Sequence, residues 1–153
     1  LKIMILAKET FPDVLKQHDL SVTSTRLAIL EAIIDHPHVD ADSVLKYARE
    51  RLGSLSKQAV YDNLHLLTEK GVLRVIQPMG HAALYEPNKC DNHHHLVCRG
   101  CGVTVDVECH MGLAPCLSPA QEHGFILDEA EVIFWGMCSA CQISPPSNES
   151  SKK

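Results

Sequence analysis

Ser56-Lys57-Gln58-Ala59-Val60-Tyr61-Asp62-Asn63-Leu64-His65-Leu66-Leu67-Thr68-Glu69-Lys70-Gly71-Val72-Leu73-Arg74-Val75-Ile76-Gln77-Pro78-Met79-Gly80-His81-Ala82-Ala83-Leu84-Tyr85-Glu86 changes periodicity midway. Val60, Leu64 and Leu67 recur at helical spacing behind Ser56, a good N-cap, and Gly71 stands where a helix C′ glycine belongs. Val72–Ile76 and Ala82–Glu86 then read as strands around a Gln77-Pro78-Met79-Gly80 turn. A helix running directly into a hairpin is the second half of a winged helix.

Working back towards the N-terminus, Val44, Leu45, Ala48 and Leu52 form one helical face, with Asp40 or Asp42 as its cap and Gly53 as its stop. Leu27, Leu30, Ile33 and Ile34 mark a helix ended by His36-Pro37. Three helices and a hairpin over residues 1–87 are therefore expected to form a winged-helix DNA-binding domain. Working forward, the polar, proline-containing Glu86-Pro87-Asn88-Lys89 marks a boundary, with a hinge over 88–92. Residues 93–143 read as a small metal-binding dimerisation domain and 144–153 as a disordered tail rich in Ser, Pro, Asn and Lys. In that second domain His93–Cys98 and Val103–Glu108 are expected strands joined by a Cys98-Arg99-Gly100-Cys101-Gly102 knuckle. Pro119–His123 is an expected short helix, and Phe125–Gly136 a third strand. The fold class is α+β. About fifty residues make a thin core, so metal or dimerisation should supplement it.

Composition bounds the function. Of 153 residues, 45% are hydrophobic and 22% charged, which excludes a wholly disordered, collagen-like or heptad-repeat chain. No apolar run approaches the ~20 residues needed to span a bilayer. The apolar Leu1–Ala7 is followed at once by Lys8-Glu9 and lacks the form of a signal peptide, so a soluble, cytoplasmic protein without a membrane partner is expected. A net charge of −5 offers no global basic field for nucleic acid. DNA contacts must come from local features: Lys57 and Gln58 at the helix start, Tyr61 one turn on, and Arg26 and Lys16 towards phosphates.

Seven Cys and ten His stand out, with every cysteine between Cys90 and Cys141. An odd cysteine count with paired C-x-x-C motifs indicates metal binding in a reducing compartment. Cys98-x-x-Cys101 with Cys138-x-x-Cys141 supplies four thiolates for a closed, structural zinc site. On a strand, His93 and His95 share one face and His94 takes the other. Glu86, Asp106 and His38 are candidates to complete a mixed nitrogen–oxygen shell suited to Fe(II), Mn(II), Zn(II) or Ni(II). The chain lacks an H-E-x-x-H helix or a Ser/His/Asp arrangement, so it does not read as an enzyme. Cys90, Cys109 and Cys116 lie outside the knuckles and offer an alternative, a thiol redox switch, although only Cys90 has a cationic neighbour, Lys89.

The string His93-His94-His95-Leu96-Val97-Cys98-x-x-Cys101-Gly102-x-x-x-Asp106 resembles the ferric-uptake-regulator (Fur) superfamily, as do Ser56–Leu64 and Val22-Thr23-x-x-Arg26. The resemblance runs from about residue 14 to 142. Asp91–His95, Ala114-Pro115-Cys116-Leu117 and Asp128-Glu129-Ala130-Glu131-Val132 look most like its actinobacterial branch, peroxide- and iron-responsive repressors that act beside catalase-peroxidase genes. The resemblance implies a homodimer on a double-stranded DNA operator. It implies structural Zn(II) on Cys98, Cys101, Cys138 and Cys141, and regulatory Fe(II) or Mn(II) on His38, Glu86, His93, His95 and Asp106. His36 is a possible substitute for His38. Asp rather than Glu at the position of Asp106 goes with peroxide sensitivity in such proteins, through oxidation of His38 or His93. Glu86 instead matches iron-responsive members, which leaves iron-dependent repression of iron-uptake genes as the alternative. Asp62 stands where these proteins often have Arg, so it is expected to point aside or to shift base preference. A variant further metal site could draw on His94, Cys109 and His110.

Overall fold

The computed structural model describes residues 7–89, 91–111 and 115–146. Leu1–Leu6, Cys90, Ala114 of the motif before Cys116, and 147–153 of the expected disordered tail lie outside the described residues. The chain divides into two compact units, Leu1–Cys90 and Asp91–Lys153.

The first unit is helical with a small sheet. After a short 3-10 turn at Lys8–Thr10 comes α1 (Phe11–Gln17), which buries Phe11, Val14 and Leu15. The sequence reading omitted α1: seven residues with Pro12 at the start carry too few turns to show periodicity. α2 (Ser24–Asp35) is capped by Thr23, whose hydroxyl accepts the Arg26 N–H at 3.2 Å. It buries Ala28, Ile29, Leu30, Ala32 and Ile33, a wider face than the expected stripe, with Leu27 and Ile34 only partly covered. It is contacted by α1, by the helices Ala41–Leu52 and Lys57–Glu69 and by the strand Leu84–Pro87, which explains the breadth. α3 (Ala41–Leu52) is capped by Asp40 rather than Asp42, the Ser43 N–H donating to Oδ1 at 2.8 Å. α4 (Lys57–Glu69) is capped by the Ser56 hydroxyl at 3.0 Å from the Ala59 nitrogen, and Val60, Leu64 and Leu67 are fully buried.

The hairpin of this unit is β2 (Leu73–Ile76) against β3 (Leu84–Pro87), antiparallel, with Arg74 opposite Glu86. A strand that the sequence reading lacked, β1 (Val39–Asp40), adds to the other edge of β3 with Val39 opposite Tyr85. Two residues have no pattern of their own, and pairing with β3 alone makes them a strand.

In the second unit β4 (His93–Cys98) runs antiparallel to β5 (Thr104–Glu108) and parallel to β6 (Ile133–Gly136), in the order β5-β4-β6. A short α5 (Ser139–Ile143) closes it. Two expectations are corrected here. Pro119–His123 forms no helix, and the third strand is confined to Ile133–Gly136 instead of starting at Phe125. Phe125 and Ile126 are 71% and 99% exposed, so their apolar run is left largely uncovered by the described residues. The fully apolar buried set of this unit is short, Val97 with Cys98 and Cys141, while Leu96, Val103, Val105, Phe134 and Met137 are exposed. No helix among the described residues is long and apolar enough to cross a membrane.

Candidate metal centres and DNA-facing helix

The two knuckles meet. Cys98 ends β4, Cys101 sits in the turn before β5, Cys138 caps α5 and Cys141 lies within it. Their four sulfurs lie within 4.8 Å of one another, with Cys101 and Cys138 3.8 Å apart. The Cys138 backbone N–H donates to Cys98 Sγ at 3.3 Å. With further donation from the Cys101 amide, this holds the Cys98 thiol down at about 6. Cys141 moves the other way, to about 12, because it hydrogen-bonds to Cys138 and is buried beside its fellow thiols. Backbone amides thus favour the first negative charge, and crowding resists the last. A divalent cation removes that conflict by charge alone, so four sulfurs at this spacing fit tetrahedral zinc. Gly100 completes the cradle: a Cβ there would stand 3.1 Å from both Cys141 Sγ and Pro146 Cγ.

In the first unit His38 adopts φ +64, a left-handed backbone uncommon outside Gly, although Asn, Asp and His enter it more often than other residues. Its N–H donates to the Tyr85 carbonyl at 3.1 Å, and its Nε2 lies 3.1 Å from Glu86 Oε2. The turn before β1 therefore aims the imidazole at a carboxylate that is 1% exposed. Across the hairpin, Arg74 Nε lies 3.9 Å from the other oxygen of Glu86. Burying a carboxylate requires such compensation. His36 faces elsewhere, stacked on Tyr47 with ring centroids 4.1 Å apart.

In the second unit strand alternation separates the histidines. His93 and His95 place Nε2 atoms 3.7 and 3.5 Å from one oxygen of Asp106, which stands opposite His95 on β5. Their rings meet edge to face at 5.0 Å. Asp91, a residue the sequence reading did not select, takes His93 Nδ1 at 2.6 Å. That bond turns Nε2 outward as the ligating nitrogen. An acid two residues before a histidine on an incoming strand was the available clue. His94 lies on the opposite face with Cys116 Sγ 3.1 Å from its Nε2, and Cys109 completes this group. The expected partner His110 is exposed and takes no part in it; Cys116 stands in its place. Burial and a hydrogen bond with Cys109 push the Cys116 thiol up, which lowers its reactivity.

On α4, Lys57 is exposed and ion-paired to Asp42 of α3 at 3.0 Å, and its ammonium lies 5.4 Å from the Tyr61 ring centre. Hydrogen bonding and charge from Lys57 lower the Asp42 carboxyl, and Asp42 raises Lys57 in return. The Tyr61 hydroxyl donates to Asp42 at 3.3 Å. Gln58 donates to Asp62 Oδ1 at 2.7 Å, so the acid lies along the same helix face as Gln58. Arg26 is tied inward, to Asn63 at 3.1 Å and to the Ser21 carbonyl at 2.7 Å, whereas Lys16 is exposed on α1. Arg26 as placed braces α2 against α4.

Known proteins resemble this chain in sequence and in fold. Residues 17–134 match the ferric uptake regulator family model. The transcriptional regulator FurA of Mycobacterium tuberculosis is 51% identical over 137 residues, covering 90% of this chain and 93% of that one. A Helicobacter pylori ferric uptake regulator structure, reported to reveal three functional metal binding sites, superposes with a TM-score of 0.69 at 16% identity, covering 97% and 99% of the two chains. The Campylobacter jejuni peroxide stress regulator is 27% identical with a TM-score of 0.64, covering 86% and 98%. The chain belongs to the ferric uptake regulator family, whose members are metal-responsive transcriptional regulators and not enzymes.

Proposed function

We propose that this chain is a metal-dependent, DNA-binding repressor that senses peroxide through Fe(II)-catalysed histidine oxidation and controls oxidative-stress genes of the catalase type. It acts in the cytoplasm as a homodimer on a double-stranded DNA operator. The observation that carries the reading is the pair of hard-donor clusters, His38 with Glu86 in one unit and His93 and His95 around Asp106 in the other. These five residues are assigned to one regulatory metal, Fe(II) or Mn(II), and the four cysteines to structural Zn(II). Dimerisation would cover the exposed Leu96, Val105 and Phe134 of the second unit.

Ligands drawn from both units would make metal occupancy select one arrangement of the DNA-binding halves. Lys57, Gln58 and Tyr61 are assigned to base edges and Lys16 to phosphates, while Arg26, the other phosphate candidate, holds α2 to α4 in the unbound protein. Bound Fe(II) supplies the redox chemistry with peroxide. His38 and His93 would be the imidazoles oxidised, either ring taking up one oxygen while the rest of the peroxide leaves as water. An oxidised ring is a poorer ligand, so the two units are released and operator binding falls. Relatedness to a peroxide stress regulator of the same fold is compatible with this reading. The second reading, iron-dependent repression of iron-uptake genes, is favoured by the Glu86 carboxylate and is compatible with the ferric uptake regulation proteins among the relatives. A thiol switch is disfavoured by the raised Cys116 thiol.

The experiment is mass spectrometry of Fe(II)-loaded protein after stoichiometric peroxide. Peptides containing His38 or His93 should gain about one oxygen atom, with loss of operator binding, and Mn(II)-loaded protein should resist. Oxidation confined to Cys90, Cys109 or Cys116, equal with both metals, replaces the iron sensor with the thiol switch. No oxidation at all, with binding still dependent on Fe(II), selects iron-dependent repression.

A further inference from the structure

The groups assigned to base edges at the start of α4 already hold carboxylates of this protein. Gln58 meets Asp62 of its own helix, whereas Lys57 and Tyr61 share an acid from another helix, Asp42 of α3. A single oxygen serves both: Asp42 Oδ1 lies 3.0 Å from the Lys57 ammonium and accepts the Tyr61 hydroxyl at 3.3 Å. The ammonium in turn lies 5.4 Å from the Tyr61 ring centre, so the three side chains close a triangle. Hydrogen bonding and charge within it lower the Asp42 carboxyl and raise Lys57, which keeps both ionised. Lys57 and Asp42 are 62% and 71% exposed, so bound DNA can reach the pair. The carboxylate oxygen thus occupies the place that an acceptor on a base edge or a phosphate would take. An exposed pair of this kind is weak and opens for an acceptor of better fit. Base edges offer one at fixed geometry, such as guanine O6 and N7. A phosphate offers only another exposed anion, and a lysine that stays on Asp42 neutralises no phosphate and releases no counterion.

We propose that Asp42 is a specificity-determining residue, an internal acceptor that keeps Lys57 and Tyr61 off non-operator DNA and yields them to operator base edges. The inference rests on the assignment of Lys57 and Tyr61 to base edges given above. Asp42 reads no base itself; it sets what Lys57 must be offered before it moves. Without the carboxylate charge the ammonium is open to any phosphate, so binding gains strength where it carries no sequence information. Asp42 also stands in the first turn of α3, where an acid favours the helix N-terminus. That role bears on the stability of α3 and leaves the salt dependence of DNA binding unmoved, so the two are separable.

The test is fluorescence anisotropy of the full chain, loaded with Zn(II) and Mn(II), across a salt series. Two duplexes serve as probes: one selected from random sequence by the parent protein, and a shuffled duplex of the same composition. On the shuffled duplex, Asp42→Asn should raise affinity on the order of tenfold at low salt and steepen the slope of log K against log salt by about 0.9, the mark of one added phosphate contact. On the selected duplex affinity should rise only about twofold, the worth of an exposed pair, with the slope unchanged. Asp42→Glu, which keeps the charge, should match the parent on both probes. With Lys57→Ala already present, Asp42→Asn should alter neither slope. An unchanged slope on the shuffled duplex in the single variant overturns the proposal. So does an equal rise in the Lys57→Ala background, which would show Asp42 repelling phosphates directly. If Lys57→Ala by itself leaves binding to the selected duplex intact, the base-reading assignment fails and the proposal with it. If the parent protein selects no duplex at all, the repressor reading itself fails.

Discussion

Asp106 shows how much can rest on one carboxylate oxygen. Nε2 of both His93 and His95 converges on it, so side-chain reach sets the geometry of the whole cluster. Asp106→Glu adds a methylene, and we expect metal-dependent operator binding to survive while peroxide sensitivity falls severalfold, as read by oxidised-peptide yield. Lys57 poses a different problem, because its partner in the unbound protein is Asp42. Both groups are well exposed, and such pairs contribute little to stability. Lys57→Ala should therefore leave the melting temperature unchanged while operator affinity drops on the order of tenfold at matched salt. Unchanged affinity by fluorescence anisotropy would move the base-reading surface off the start of α4.

Elements in the two units draw stability from different sources. α4 is a conventional amphipathic helix whose Leu64 is fully buried, and Leu64→Ala should cost about 2–5 kcal/mol by chemical denaturation. Its cap matters twice over, because Ser56 both closes the first turn and sets where Lys57 and Gln58 emerge. Ser56→Ala should cost about 1 kcal/mol and weaken operator binding as well. The C-x-x-C knuckle depends on space rather than on apolar burial. Gly100→Ala would press a methyl group against Cys141 Sγ, so faster zinc loss to a chelator is expected with the first unit's stability unaltered.

For the molecule as a whole, the contrast in cores leads us to expect unfolding in two stages. The first unit has a continuous apolar cluster from Phe11 to Leu73. The second buries few apolar side chains, three consecutive histidines and two zinc-knuckle cysteines. Binding energy at such a metal site is folding energy. Cys138→Ser, or exhaustive chelation, should abolish the cooperative transition of the second unit and leave most helical circular dichroism intact, since α1 to α4 belong to the first. A single transition that survives metal removal would show that zinc is dispensable to the fold.

Local chemistry made much of this legible in advance. Caps at Ser56, the stripe Val60, Leu64 and Leu67, and the C-x-x-C pairs are short-range patterns, and short-range patterns are written in consecutive residues. The alternation that parts His94 from His93 and His95 follows from the strand period alone. Long-range decisions were different. β1 exists because Val39 finds Tyr85, and Asp40 caps α3 from the end of that strand. Cys116 rather than His110 stands beside His94, a pairing over 22 residues that no spacing rule encodes. Phe125 and Ile126 look like strand residues yet stay exposed, since a strand forms only where a neighbouring edge accepts its hydrogen bonds. Residue type and spacing specify which ligands and caps are possible; tertiary pairing selects among them, because each selected contact joins segments whose separation in sequence carries no periodic signal.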